Sequence, residues 1–257
     1  MIYKTLIYQK TEFVGNITLN RPIDGNTINV QLAQELADIC ASINRDEAVR
    51  VVTITGAGEG YFCAGTDATL FPPVAQGKQQ TNLPSVARSI FDVNQPVIAA
   101  INGDALGQGL ELVLAWCLMK AACTAHFGLP QIISGFIPWD GGTQFLPRII
   151  GRGKAMEMIL TGETIDATQA YEIGLVNKVV LLKELTTIVA EIAREISSKA
   201  PISLRYAKEV IHKGLDLTLK QGLRLEADLY FLLQTTEDRT EGIKAFLERR
   251  QPQFQGK

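Results

Sequence analysis

The chain has 257 residues, 46% of them apolar, enough for one large α/β unit or two small ones around a sizeable buried core. A formal net charge of −2 offers no basic field for nucleic-acid phosphates, and the longest apolar run, over 110–119, is interrupted by Glu111 and falls short of the roughly 20 residues a membrane span needs, so neither nucleic acid nor membrane is an expected partner. Cys40, Cys63, Cys117 and Cys123 have no C-x-x-C spacing, His126 and His212 lie far apart, and the amino terminus has no secretory pattern, which excludes a readable zinc site or disulfide framework and points to the reducing cytoplasm.

Residues 5–20 alternate in polarity and predict a strand over 13–19 that ends at Arg21-Pro22, with Gly15 as a hairpin break. A helix follows from Asn29: Val30, Leu32, Ala33, Leu36, Ala37, Ile39 and Cys40 fall at helical spacing, and Asn29 or Asn26 can cap it. The β-branched run 51–56 is a buried strand. Residues 84–91 are helical, 96–101 form a second buried strand, and 107–119 are an apolar helix launched from a glycine-rich turn. Strand and helix in alternation imply a parallel sheet with helices on its faces. Beyond Gly151 the pattern is mostly helical, with one strand near 175–180 and helices over 185–198, 202–214, 218–235 and 240–249; an α/β core over 1–198 and a helical region over 199–257 are the expected divisions. The polar stretch 71–83 is a candidate lid.

Two glycine-containing turns follow buried strands: 61–67, after the 51–56 strand, and 102–111, after the 96–101 strand. Open α/β sheets place ligands at the carboxyl ends of strands, and unpaired amides at a turn or helix start can stabilise negative charge on a carbonyl oxygen. Glycines that only make tight turns would look the same. Neither segment is a phosphate-binding loop, since no Gly-Lys-Ser/Thr follows, and Gly107-Gln108-Gly109 lacks the third glycine of a dinucleotide fingerprint. Glu111, set among Gly109, Leu110, Leu112 and Val113, is costly to bury without partners, which favours a chemical role over a capping one.

Phe62-Cys63-Ala64-Gly65-Thr66-Asp67 resembles the F-x-A-G-x-D motif of the enoyl-CoA hydratase/isomerase (crotonase) superfamily, and residues 96–111 resemble its P-V-I-A-A-V-N-G-x-A-L-G-G-G-x-E segment. Phe127-Gly128-Leu129-Pro130, Gly141-Gly142-Thr143, Leu160-Thr161-Gly162-Glu163, Gly174-Leu175-Val176 and Glu241-Gly242-Ile243 continue the likeness in order and spacing across nearly the whole chain. The resemblance implies the crotonase (ClpP-like) fold, a spiral of ββα units with a C-terminal helical region for oligomerisation, in a homotrimer or homohexamer. It further implies an acyl-CoA substrate, with coenzyme A as part of the substrate rather than a cofactor, and no metal.

Carried over position by position, the resemblance makes the backbone N–H groups of Thr66 and Gln108 the two oxyanion donors, although the family usually has glycine at the second. Glu111 corresponds to the first of the hydratases' two acid/base glutamates. The second falls on Gln131, whose amide cannot exchange a proton near neutral pH but can orient water. Trp139-Asp140 replaces a small pair, commonly Gly-Ala, and relatives with other chemistries place a functional aspartate in or beside this turn. Asp140 is therefore a candidate carboxylate or a capping residue, and Trp139 a wall of an acyl pocket for a flat group or a core filler. Ala64, Gly65, Asp67 and Gly109 are expected to shape the substrate site, Asp67 by holding its turn, and Arg249 to reach a neighbour's CoA phosphates or cap a solvated helix end. His126 is expected to be structural and His212 solvent-facing. The expected reaction is water addition to an α,β-unsaturated acyl-CoA, with a cyclic dienoyl thioester among the candidates. The alternatives are isomerisation or hydrolysis led by Asp140, and a weakly catalytic binding protein of the same fold.

Overall fold

In the computed structural model, which describes residues 3–70 and 84–257, the alternation at the start of the chain becomes a hairpin. Strand β1 (Leu6–Thr11) pairs antiparallel with β2 (Val14–Leu19). The reversal falls at Glu12, whose φ is 52°, and Gly15 lies inside β2 opposite Lys10, so it does not mark the turn. The candidate lid over 71–83 lies outside the described residues. Helix α1 (Val30–Arg45) is capped by Asn29, whose side chain accepts from the Leu32 N–H at 2.8 Å; Asn26 instead donates to the carbonyls of Ala57 and Tyr61.

The middle of the chain repeats one unit three times. β3 (Val51–Gly56) and β4 (Tyr61–Cys63) lead to α2 (Val86–Phe91); β5 (Val97–Ile101) and β6 (Asp104–Leu106) lead to α3 (Gln108–Leu114); β7 (Leu118–Ala122) and β8 (His126–Gly128) lead to a 3-10 turn over Pro130–Ser134 and α4 (Gly142–Ile150). The first strands of the units lie side by side and parallel in one sheet, the second strands side by side and parallel in another. Each unit thus advances both sheets by one strand, which winds the chain into a spiral. After α5 (Arg152–Thr161), β9 (Thr164–Asp166) closes the small sheet antiparallel to β8, and after α6 (Ala167–Glu172), β10 (Lys178–Val180) joins β7 in the large one. The sheet orders are β1-β2-β3-β5-β7-β10 and β4-β6-β8-β9.

The predicted helix over 107–119 is two elements. Helix α3 stops at Leu114, and 118–122 enter the sheet between β5 and β10. A segment apolar on all sides carries no period to separate the two, and a vacant sheet slot decides it.

Strand β5 is buried along its length, as a central parallel strand covered on both faces should be. Val97, Ala99 and Ile101 face the main core with Leu32, Leu36 and Val113; Ile98 and Ala100 face Leu185, Val189 and Ala193 of α7 (Leu182–Ser197). The chain ends in α8 (Pro201–Gly214), α9 (Leu219–Leu233) and α10 (Glu237–Leu247). Lys208 of α8 donates to the carbonyls of Val93 and Gln95, and Asp238 of α10, buried, accepts from the N–H groups of Gln255 and Gly256. No helix among the described residues is long and apolar enough to cross a membrane.

Candidate active site

The two glycine-containing turns meet where β4 and β6 run side by side. Ile28 donates to the Gly65 carbonyl at 2.8 Å and accepts from the Asp67 N–H at 2.9 Å, a bridge that skips the N–H of Thr66. Gly107 turns at a φ of 52° and donates to Gly128 O at 2.9 Å, which delivers Gln108 as the first residue of α3, where no preceding turn of helix can accept its N–H. Neither the Thr66 nor the Gln108 N–H has a hydrogen-bond partner among the described residues. The turns are close: a Cβ on Gly65 would stand 3.8 Å from the Gln108 nitrogen. Gly109 serves packing, since a Cβ there would lie 2.2 Å from the Cys63 carbonyl oxygen of β4.

Glu111, one turn into α3, is fully buried. Its Oε1 accepts from the N–H groups of Asp140 at 2.7 Å and Gly142 at 2.9 Å, and its Oε2 accepts from Gln131 Nε2 at 3.1 Å. Burial pushes the carboxyl up to about 7, and the negative charge of Asp140 adds to the rise, against the three hydrogen bonds that favour the charged form. A carboxyl group poised there can hold or release a proton near neutral pH. Oε1 is engaged by two donors, while Oε2 retains lone-pair capacity. Gln131 Oε1 is buried with no partner among the described residues, so the amide that donates to Glu111 also carries an unused acceptor there.

Asp140 is buried, not an exposed turn residue. Its carboxylate accepts from the Ser85 hydroxyl, from the N–H groups of Val86 at 3.0 Å and Ala87 at 3.4 Å at the start of α2, and from Gln108 Nε2 at 3.0 Å. It caps a helix distant in sequence instead of the segment that follows it. The Gln108 side chain is also buried, and its Oε1 accepts from the Thr66 hydroxyl at 2.9 Å.

Asp67 holds the first turn. Its Oδ1 accepts from the hydroxyl of Thr69 at 2.6 Å and its N–H at 3.0 Å, and its Oδ2 pairs with Arg21 at 2.7 Å; the Thr69 bonds first and the guanidinium after them hold the carboxyl down at about 2. The Ala64 N–H is spent on Gly25 O at 2.9 Å. Trp139 is half exposed, so it does not fill the core, and Arg249 lies exposed past the end of α10 with no bond to the residues above. His126 pairs with Asp104 at 2.9 Å. His212 is not solvent-facing as expected: it stacks on Phe91 of α2, ring centroids 4.9 Å apart, because α8 folds back on α2. Ser85 and Arg21 are site residues that the sequence reading did not single out, and Gly142 entered it only within a motif likeness. Ser85, just before a helical run, is the one with a local signal, that of a helix cap.

The family model for "Enoyl-CoA hydratase/isomerase" matches residues 9–257. A crotonyl-CoA hydratase from Syntrophomonas wolfei is 37% identical over 257 residues, 99% of each chain. An (E)-benzylidenesuccinyl-CoA hydratase from Thauera aromatica is 40% identical over 245 residues, 95% of this chain and 96% of that one. The crystal structure of an enoyl-CoA hydratase from Bacillus anthracis has a TM-score of 0.91 at 39% identity, covering 99% of this chain and 100% of its own.

Proposed function

The chain belongs to the enoyl-CoA hydratase/isomerase (crotonase) family, and from that premise we propose that it adds water across the α,β double bond of an enoyl-CoA thioester, with Glu111 as its acid/base residue. One observation carries the reading: a buried carboxyl poised at about 7, with lone-pair capacity left on Oε2, in the helix that opens on one of two amides without a partner among the described residues. The thioester oxygen sits between the N–H groups of Thr66 and Gln108. Water attacks Cβ and gives its proton to Glu111, the π electrons move to the thioester oxygen as an enolate, and the two amides stabilise that charge. Glu111 then returns the proton to Cα, and the net change is one water added. Gln131 exchanges no proton; its Oε1, without a partner among the described residues, accepts from the attacking water.

A second reading, isomerisation of the double bond, is favoured by Gln131 standing where a second glutamate would otherwise exchange protons, since a lone Glu111 is sufficient to move one proton between two carbons. Asp140 as leading acid has less support, because four donors already engage its carboxylate. The acyl group is the open part of the assignment. The benzylidenesuccinyl-CoA hydratase relative and the half-exposed Trp139 both favour including flat, aromatic acyl groups. A panel of linear, cyclic and aromatic enoyl- and dienoyl-CoAs, followed by mass spectrometry, tests this. Hydration adds one water, isomerisation leaves the mass unchanged, and a panel left untouched by a protein that still binds CoA would favour a binding role.

The described part of 1–198 carries the site, and we assign 199–257 to self-association as a homotrimer or homohexamer, supported by Leu219, Tyr230, Phe231, Phe246 and Leu247 lying exposed on α9 and α10. Arg249 would then face a neighbour's CoA phosphates. Coenzyme A enters as part of the substrate. Burial holds the Cys40 and Cys63 thiols up at about 12, where they are inert, which suits the cytoplasm.

A further inference from the structure

We propose that Asp140 is a positioning residue: its carboxylate grips the Gln108 side chain and so fixes the aim of the Gln108 N–H, while its own backbone N–H fixes Glu111. The proposal rests on the reading of Thr66 and Gln108 as oxyanion donors.

The Gln108 amide is held at both ends. Its Oε1 accepts from the Thr66 hydroxyl at 2.9 Å and its Nε2 donates to Asp140 Oδ2 at 3.0 Å. Thr66 and Gln108 both have N–H groups without a partner among the described residues, so a single buried side chain spans from one donor residue to the other and then to Asp140. Asp140 does not depend on Gln108 for its own orientation. The Ser85 hydroxyl and the Val86 and Ala87 N–H groups hold the same carboxylate from the start of α2.

These four donors use the acceptor sites of a carboxylate, which leaves it little capacity to take a substrate proton and separates positioning from acid/base work. The remaining link is the Asp140 N–H, which donates to Glu111 Oε1 at 2.7 Å. One residue therefore sets an oxyanion donor and the acid/base carboxylate in a common frame. Glutamine at 108 and aspartate at 140, both departures from the family's usual small residues, explain each other. Without Asp140 the buried Gln108 amide would lack an acceptor for Nε2, a costly vacancy inside a protein. Arrangements in which one side chain acts through another show up as coupling between substitutions.

The test uses the full chain with bound butyryl-CoA, a saturated thioester that cannot be hydrated, its carbonyl isotopically labelled and read by infrared spectroscopy. An aimed oxyanion hole lowers the carbonyl stretching frequency. The expected result is a clear lowering in the wild type that is largely lost in Asp140→Ala and in Gln108→Ala. Turnover of enoyl-CoA should fall about tenfold or more in kcat with KM changed by less than about threefold. Asp140→Ala should add little once Gln108→Ala is present. A carbonyl shift that survives Asp140→Ala, or effects of the two substitutions that are independent, overturns the proposal. If Asp140→Ala fails to fold for loss of the α2 cap, Gln108→Ala, which breaks the links to both Thr66 and Asp140, is compared with Thr66→Val, which breaks only the first. A shift lost in the former and kept in the latter supports the proposal, and a shift lost equally in both overturns it. A wild type with no shift defeats the oxyanion assignment and the proposal with it. A wild type that shows the shift but hydrates no enoyl-CoA defeats only the hydration reading, and the infrared comparison still decides the role of Asp140.

Discussion

The N–H of Gly142 donates to Oε1 of Glu111 at 2.9 Å, and a Cβ at residue 142 would stand 3.1 Å from that same oxygen, 3.1 Å from Glu111 Cγ and 2.7 Å from Pro138 Cβ. Glycine is therefore required by space, at the point where α4 begins. Gly142→Ala pushes the carboxyl off its two amides. A displacement of this kind costs about tenfold to a hundredfold in kcat, and overpacking costs about 1 to 3 kcal/mol of stability. Steady-state kinetics and urea unfolding check both, and an alanine variant with wild-type kcat would mean that Glu111 has room to move without consequence.

Glu111→Gln keeps the shape and removes the exchangeable proton, so kcat for hydration should fall by about a hundredfold to ten-thousandfold. The same residue leaves a mark on stability. Its folded value, about 7, lies above the ordinary 4.5, so the native state holds a proton that the unfolded chain releases between those two values. The stabilisation is complete below pH 4.5 and is lost as pH rises through 7, by about 3 kcal/mol over the window. The wild-type unfolding free energy should fall across that window more steeply than that of Glu111→Gln. Equal slopes in the two proteins would place the Glu111 carboxyl in a far wetter setting.

Much of the fold was legible because it is written locally. The β-branched run at β3, the cap at Asn29 and the helical spacing of α1, α7 and α8 need only a dozen neighbouring residues. The three-residue strands β4, β6 and β8 were not, since each is too short to show an alternation and exists only because its neighbours pair with it. The site divides the same way. Motif likeness picked out Thr66, Gln108, Glu111, Gln131 and Asp140, yet what each does to the others depends on contacts between residues 20 to 42 positions apart. Nothing near Asp140 in sequence announces that its carboxylate caps α2, 53 to 55 residues upstream.

Arg21 and Asp67 join the loop after β2 to the 61–67 turn with an ion pair of 2.7 Å whose side chains are 14% and 12% exposed. Arg21→Ala leaves Asp67 to its Thr69 bonds and to the Thr27 hydroxyl at 3.4 Å, and loosens the turn that presents the Thr66 N–H. The loss of a hydrogen bond between charged groups costs about 1 to 3 kcal/mol, and a misaimed donor costs about tenfold in kcat. Since Asp67 is held at about 2, below its ordinary 3.8, this stabilisation is present above pH 3.8 and is lost as pH falls through 2. Acid unfolding should begin at higher pH in Arg21→Ala than in the wild type. Identical acid transitions would show that Thr69 and Thr27 hold the carboxylate without the guanidinium.

Lys208 bears on whether the helical tail and the site are mechanically joined. Its ammonium donates to the carbonyls of Val93 and Gln95, just before β5, and His212 one turn later stacks on Phe91 of α2, the helix whose start grips Asp140. Lys208→Met keeps the aliphatic stem and leaves the two carbonyls without their donor, a loss of about 1 to 3 kcal/mol. Because the cost falls on the α8 seam, amide exchange should accelerate in α8 and α2 while α7, packed on the opposite face of the sheet, keeps its protection. A fall in kcat alongside faster α2 exchange would place the tail in the chain of contacts that sets Asp140. Unchanged exchange in α8 would mean that the His212 stack holds the seam without the lysine, and Lys208 would then have no part in setting the site.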